Sequence, residues 1–300
     1  LFEKSIRPDN YYYNQHFLQM IVGNDGGMHL VIERDNYRSR RKQQYYEVHS
    51  FQIGMTEVTA YNLNMGENLT YDVYFDYDNK HNRLVGAGLY SSRELNRATG
   101  YFYLKVDPNN SKGFLLNFKE FDEEFVRNLY GKNVKKVKGI NEASVRQTIF
   151  RNDGGVLMIV ERNRQLERRA GATSRIFYDN TARSLVDYYY DELFVIGIYP
   201  DGELHWNTIL HKKQYSQDDD GIYSSFFLLE SPTQLHFLFN DEISYENTVS
   251  EYVLNGLGEF DRNSLFSTEN MELRLRFRDA VQVDSNELLI PSERRNRLRL

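Results

Sequence analysis

Cysteine is absent from the 300 residues. Disulfide cross-links, thiolate nucleophiles and Cys-ligated zinc or iron–sulfur centres are therefore excluded. Proline is scarce, at five residues, and no Pro/Gly/Ser-rich seam divides the chain, so a single domain spanning 1–300 is expected rather than two domains on a linker. No apolar run approaches the roughly 18–20 residues of a membrane-spanning helix. Positive charge is not in surplus either. The 37 basic and 43 acidic residues leave a formal charge of -6, which speaks against a nucleic-acid binder built on a broad basic field. His-Glu-x-x-His, Gly-x-Ser-x-Gly, Gly-x-Gly-x-x-Gly and Walker motifs are all missing, and with them the motif basis for a zinc protease, a serine hydrolase or a nucleotide enzyme. The chain starts at Leu1 and stops at Leu300 within an Arg/Leu alternation. A trimmed or processed chain, or a fragment of a longer one, is expected, from which an export signal could have been removed.

Aromatic residues are plentiful: 23 Tyr, 19 Phe and one Trp make up 14% of the chain. Such rings pack well on pleated surfaces and favour strands. An internal repeat is also present. Asn24-Asp25-Gly26-Gly27 and the run Met28 to Arg34 recur as Asn152-Asp153-Gly154-Gly155 and Val156 to Arg162, every position offset by 128. Between 24–41 and 152–169, eight of 18 residues are identical, including the terminal Arg40-Arg41 and Arg168-Arg169. Each copy reads as a hairpin: a β-run, a turn whose glycines permit positive φ, and a second β-run ending at Glu33 or Glu161. A duplicated multi-strand unit is the simplest account.

Further β-runs follow at intervals of roughly 8–12 residues with turn signals between them, the pattern of an all-β chain. Short helices are expected at 121–130, where Asp122, Glu123 and Glu124 suit a first turn, and at 182–190. A β-helix would need a short regular period, and a pair of sandwiches would need a linker; neither is visible. Four-stranded blades of roughly 40–50 residues each predict a β-propeller of six or seven blades with two related halves.

Two stretches carry resemblances. Asp201-Gly202 followed by Trp206 is similar to the Gly-then-Trp blade turn of quinoprotein-type propellers, in one partial occurrence. Asn82–Val106, with 191–240 and 287–300, resembles exported propeller-like envelope proteins of Bacteroidota-type bacteria, some associated with type 9 secretion. That resemblance implies a periplasmic or outer-membrane location and an envelope protein partner.

Several side-chain groups could carry function. The equivalent Glu33 and Glu161 could serve as the acid and base of glycoside hydrolysis if they met across one pocket, as could Asp201 or Glu203. The stronger reading is that each closes a strand end by pairing with a nearby arginine, such as Arg34 or Arg162. The duplicated Arg40, Arg41, Arg168 and Arg169 could supply rim donors to a partner. Tyr11, Tyr12 and Tyr13, the tyrosines at 188–190 and Trp206 could form a contact surface or line a glycan groove. Asp76, Asp78, Asn79 and Asn82, or the turn at Asp218-Asp219-Asp220-Gly221, offer oxygens to calcium without an EF-hand spacing. No cofactor is implied. The expected function is a non-enzymatic binding or assembly component of a bacterial envelope complex, related to secretion or motility, the alternative being a carbohydrate-active enzyme or glycan-binding protein.

Overall fold

The computed structural model describes residues 15–34, 44–54, 58–92, 97–107, 113–131, 139–169, 184–241, 248–268, 273–294 and 297–299. It is mostly β, and it divides into two compact units. The first comprises Leu1–Asn141, Gln147–Met158 and Gly197–His205; the second comprises Glu142–Arg146, Ile159–Ile196 and Trp206–Leu300. Among the described residues no helix is long and apolar enough to cross a membrane.

The first unit opens with an antiparallel meander, β1 (Gln15–Val22), β2 (Met28–Arg34), β3 (Tyr45–Phe51) and β4 (Thr59–Asn64), hydrogen-bonded in that order. Next come β5 (Leu69–Asp78), β6 (Arg83–Ser91), β7 (Arg97–Ala98), β8 (Gly100–Val106) and β9 (Phe114–Glu120). Their sheet runs β5-β6-β8-β9, while β7 pairs with β10 (Ile140–Asn141). The two larger sheets share one apolar core. Val31, Tyr46, Val48 and Leu63 from the first sheet meet Phe75, Leu84, Phe102 and Leu104 from the second. Full burial of each such side chain contributes about 1.5–3 kcal/mol. Helix α1 (Glu123–Tyr130) buries Phe125, Val126 and Leu129, and its first turn carries Glu123 and Glu124, as expected from the sequence.

The repeat begins the next sheet too. β11 (Ala143–Phe150), β12 (Val156–Arg169), β13 (Ser184–Ile198) and β14 (Leu204–Leu210) are neighbours in that order, with β15 (Gln214–Gln217) pairing onto β13. The two Asn-Asp-Gly-Gly turns have the same hydrogen bonds. Gly26 N–H donates to Gly23 O at 2.9 Å and Gly154 N–H to Arg151 O at 3.0 Å. Asp25 Oδ1 accepts from Gly27 N–H, and Asp153 Oδ1 from Gly155 N–H, at 2.9 and 3.0 Å. Gly26 and Gly154 sit at φ +79° and +86°, a region closed to most side chains. The same closure recurs at Tyr199–Glu203 and Asn255–Glu259, so the turn is a general hairpin device of this chain, and the strand-end residues are what mark the repeat.

The second unit continues with β16 (Phe227–Glu230), β17 (Gln234–Asn240), β18 (Thr248–Asn255) and β19 (Phe260–Ser267) in one sheet. β20 (Arg274–Leu275), a short 3-10 turn at Phe277–Asp279, β21 (Val281–Asp284), β22 (Glu287–Leu289), β23 (Ser292–Arg294) and β24 (Arg297–Arg299) complete it in two small sheets, β20-β23-β24 and β21-β22. Leu229, Leu238 and Val249 pack on Leu275 and Phe277.

Two expectations are corrected. The propeller of six or seven blades is absent: no described sheet is closed, or curled as a propeller blade would be. Strand spacing reports only strands and turns, and separate small sheets that share a core, as in the first unit, produce the same count. β12 and β13, at 14 and 15 residues, also exceed the short strands a blade uses. The helix expected at 182–190 is strand instead. From Ser184 onward the chain lies in β13, and Tyr188 and Tyr189 pair with Ser216 and Tyr215 of β15.

Candidate functional site

Glu33 stands near the end of β2, directly across from Tyr46 of β3. Its carboxylate is 17% exposed and has three described partners. His16 Nε2 lies at 3.1 Å, the Gln44 amide donates at 2.5 Å, and the Tyr46 hydroxyl donates at 3.4 Å. Gln44 is itself buried and clasps the backbone of Thr70 in both directions. Thr70 N–H donates to Gln44 Oε1 at 2.6 Å, and Gln44 Nε2 donates to Thr70 O at 3.0 Å. The Tyr46 and Thr70 hydroxyls are 2.7 Å apart. Glutamate, glutamine, tyrosine and threonine thus form one connected polar group on the inner side of a cleft.

That cleft has a volume of about 420 Å³. Glu33 and Asp72 supply its acidic groups, Tyr46, Tyr71 and Tyr74 its rings, and Leu18, Thr70 and Val73 complete the wall. Two β-bulges shape it. The β1–β2 register slips between Phe17 and Gln19, at Leu18, and the β5–β6 register slips between Tyr71 and Tyr74, at Asp72 and Val73. A bulge re-aims side chains out of the regular alternation, a device common beside binding sites. The second bulge depends on Gly88. A Cβ there would stand 3.0 Å from Asp72 O and 2.9 Å from the Phe102 ring. Asp72 takes the left-handed conformation, φ +49°, which Asp tolerates better than most residues.

In the second unit the repeated glutamate is framed in the same way but sealed. The Glu161 side chain is 0% exposed. Lys212 Nζ, also 0% exposed, lies 2.7 Å from its Oε1, while Arg146 Nε donates to Oε2 at 2.8 Å and the Ser225 hydroxyl at 2.7 Å. A glutamine clasp again supports the group. Ser225 N–H donates to Gln214 Oε1 at 2.8 Å, and Gln214 Nε2 donates to Ser225 O at 3.2 Å. The same amide donates to Asn240 O at 2.7 Å, and Lys212 adds bonds to Gln214 Oε1 and Tyr190 O. Burial pushes the Glu161 carboxyl upward, but the charges of Lys212 and Arg146 outweigh it and hold the group below the usual carboxylate range. Burial likewise draws Lys212 below the usual amine value, against the pull of Glu161. With Glu161 and Lys212 both fully enclosed, the carboxylate offers a substrate no approach.

The other residues that the sequence singles out fall elsewhere. Tyr11, Tyr12, Tyr13, Arg40 and Arg41 lie outside the described residues. Arg168 is 56% exposed but engages Asp187, donating from Nη2 at 2.8 Å; Tyr215 and Gln217 bond the same carboxylate. Arg169 ends β12, and its side chain is not among those described. Trp206 braces a hairpin: its indole N–H donates to Gly256 O at 3.1 Å, and a Cβ on Gly258 would meet the ring at 2.6 Å. Of the tyrosines at 188–190, Tyr188 and Tyr190 are buried, while Tyr189 packs on Tyr215 and Arg164. Asp201 Oδ1 accepts from Glu203 N–H, and Glu203 pairs with Lys119 at 2.7 Å. Asp78 accepts from the backbone of Lys80 and His81, and Asp219 from Gly221. No group of three or more His, Asp or Glu able to hold a metal occurs among the described residues.

Gln44 and Thr70 behind the cleft, and Lys212, Gln214 and Ser225 in the sealed cluster, are residues that sequence reasoning misses. One signal points to Gln44, Lys212 and Gln214. Lys42-Gln43-Gln44-Tyr45 and Lys212-Lys213-Gln214-Tyr215 share a Lys-x-Gln-Tyr pattern outside the 128 offset. No protein-family model and no curated protein matches the chain.

Proposed function

We propose that this chain is a binding component rather than a hydrolase, and that the Glu33 cleft is its recognition site. The observation that carries this is the unequal fate of the repeated glutamate. Glu161 is enclosed and neutralised by Lys212 and Arg146, whereas Glu33 keeps partial exposure on an open cleft. A glycosidase working through this pair needs two carboxylates that both reach the sugar. The setting proposed is a bacterial envelope assembly of exported proteins, and what supports it is the sequence resemblance of 82–106, 191–240 and 287–300.

Incubation with a panel of α- and β-linked oligosaccharides, followed by product analysis, separates the two functions. Neither the native chain nor Glu33→Gln is expected to release sugar. Turnover by the native chain that Glu33→Gln abolishes, with the fold intact by circular dichroism, would overturn the binding assignment.

A further inference from the structure

We infer that the Glu33 cleft accepts a cationic side chain, the ammonium of lysine or the guanidinium of arginine, presented by an extended peptide along β1. This names the ligand of the recognition site proposed above and rests on that proposal. The chain itself shows what such a carboxylate takes. In the second unit the equivalent Glu161 holds one ammonium and one guanidinium, with a glutamine clasp and a hydroxyl donor behind them. In the first unit the clasp and hydroxyls are kept, but the residue 128 positions before Arg146 is Leu18. Leu18 lines the cleft, so the position that supplies a guanidinium in one copy is a wall in the other.

The lining is suited to a cation. Among the described residues it carries two carboxylates, Glu33 and Asp72, three tyrosine rings and no lysine or arginine. A carboxylate supplies the charge partner and a ring face adds cation–π attraction. The charge facing Glu33 from β1 is that of His16, which is 53% exposed and present only when the imidazole is protonated. The volume, about 420 Å³, falls in the range of ligand-binding clefts. A peptide source is favoured over a free amine by what borders the cleft. β1 is an edge strand among the described strands, and it exposes Phe17, Met20 and Val22 beside the bulge at Leu18. Strand addition there would give an incoming chain main-chain hydrogen bonds and apolar contact, and its basic residue would reach Glu33.

The test is calorimetric titration of the native chain with the acetylated, amidated peptide Thr-Val-Thr-Lys-Thr-Val-Thr, its norleucine counterpart and spermidine. The expected result is binding of the lysine peptide, weakened about tenfold or more by norleucine, by Glu33→Gln and by Leu18→Arg, which restores the second unit's own guanidinium. Weaker binding at higher salt should accompany it. Leu18 is partly exposed, so Leu18→Arg should fold, and circular dichroism checks that. Equal binding of the lysine and norleucine peptides, blocked by Leu18→Arg, would overturn the cationic ligand but keep the cleft as a recognition site. Spermidine binding as tightly as the peptide would overturn the peptide source. Lys42 stands two residues before Gln44, as Lys212 does before Gln214, and lies outside the described residues. Binding seen with Lys42→Ala and not with the native chain would mean the chain fills its own cleft, and would overturn an external ligand. Binding of no probe to either protein would overturn both the ligand and the recognition site.

Discussion

Methionine in place of Lys212 will lower the unfolding free energy by about 3–5 kcal/mol, the cost of removing one partner from a buried ion pair. Methionine keeps the unbranched shape of the side chain, one atom shorter, and removes the charge. Glu161 would then stay buried with Arg146 and Ser225 but without its nearest cation, and the Gln214 and Tyr190 carbonyl oxygens would each lose a donor. Adding Glu161→Leu should recover at least half of that loss. With the carboxylate gone nothing charged remains enclosed, because Arg146, 29% exposed, can turn to solvent. Urea denaturation of the two single variants and the double variant gives the coupling directly. A cost below about 1 kcal/mol for Lys212→Met would mean that the pair is hydrated, contrary to its described burial.

The second large effect is expected from the glutamine clasps. Gln44→Leu and Gln214→Leu are near-isosteric, so neither leaves much of a cavity. Each strands a buried backbone N–H and C=O, of Thr70 in one case and Ser225 in the other. At about 1–3 kcal/mol for each of the two unsatisfied buried groups, a loss of about 2–6 kcal/mol is expected per variant. Gln44→Glu should be no better. It keeps an acceptor for Thr70 N–H but sets a second carboxylate against Glu33, now 2.5 Å from the amide nitrogen. Equilibrium unfolding measures both, and a loss confined to one glutamine would show that the two polar groups are not equivalent.

What can be read in the sequence is local. The Asn-Asp-Gly-Gly turns and the acidic first turn of α1 depend on neighbours in the chain, and residue types alone point to them. The repeat also picks out Glu33 and Glu161 before any partner is visible. Their partners are hidden for a physical reason. Gln44 and Thr70 are 26 residues apart, and Glu161 and Ser225 are 64 apart, brought together by sheet packing rather than by any periodic spacing. The propeller expectation fails in the same way: turns and strand lengths do not encode which sheets share a core. Arg168 reads as a free donor because its carboxylate partner, Asp187, enters from another strand. The Trp206 ring reads as a ligand platform because nothing nearby in sequence shows that it rests on the hairpin turn at Asn255–Glu259.

The central claim is that one chain holds two copies of a glutamate-centred polar group, one open to a ligand and one closed by its own cations. Carbodiimide-driven amidation of carboxylates, read by mass spectrometry on the native protein, tests it most directly. Glu33 should be modified in the native state, and Glu161 should react only once denaturant unfolds the chain. Equal modification of the two glutamates under native conditions, or reaction at Glu161 before Glu33, would contradict the account.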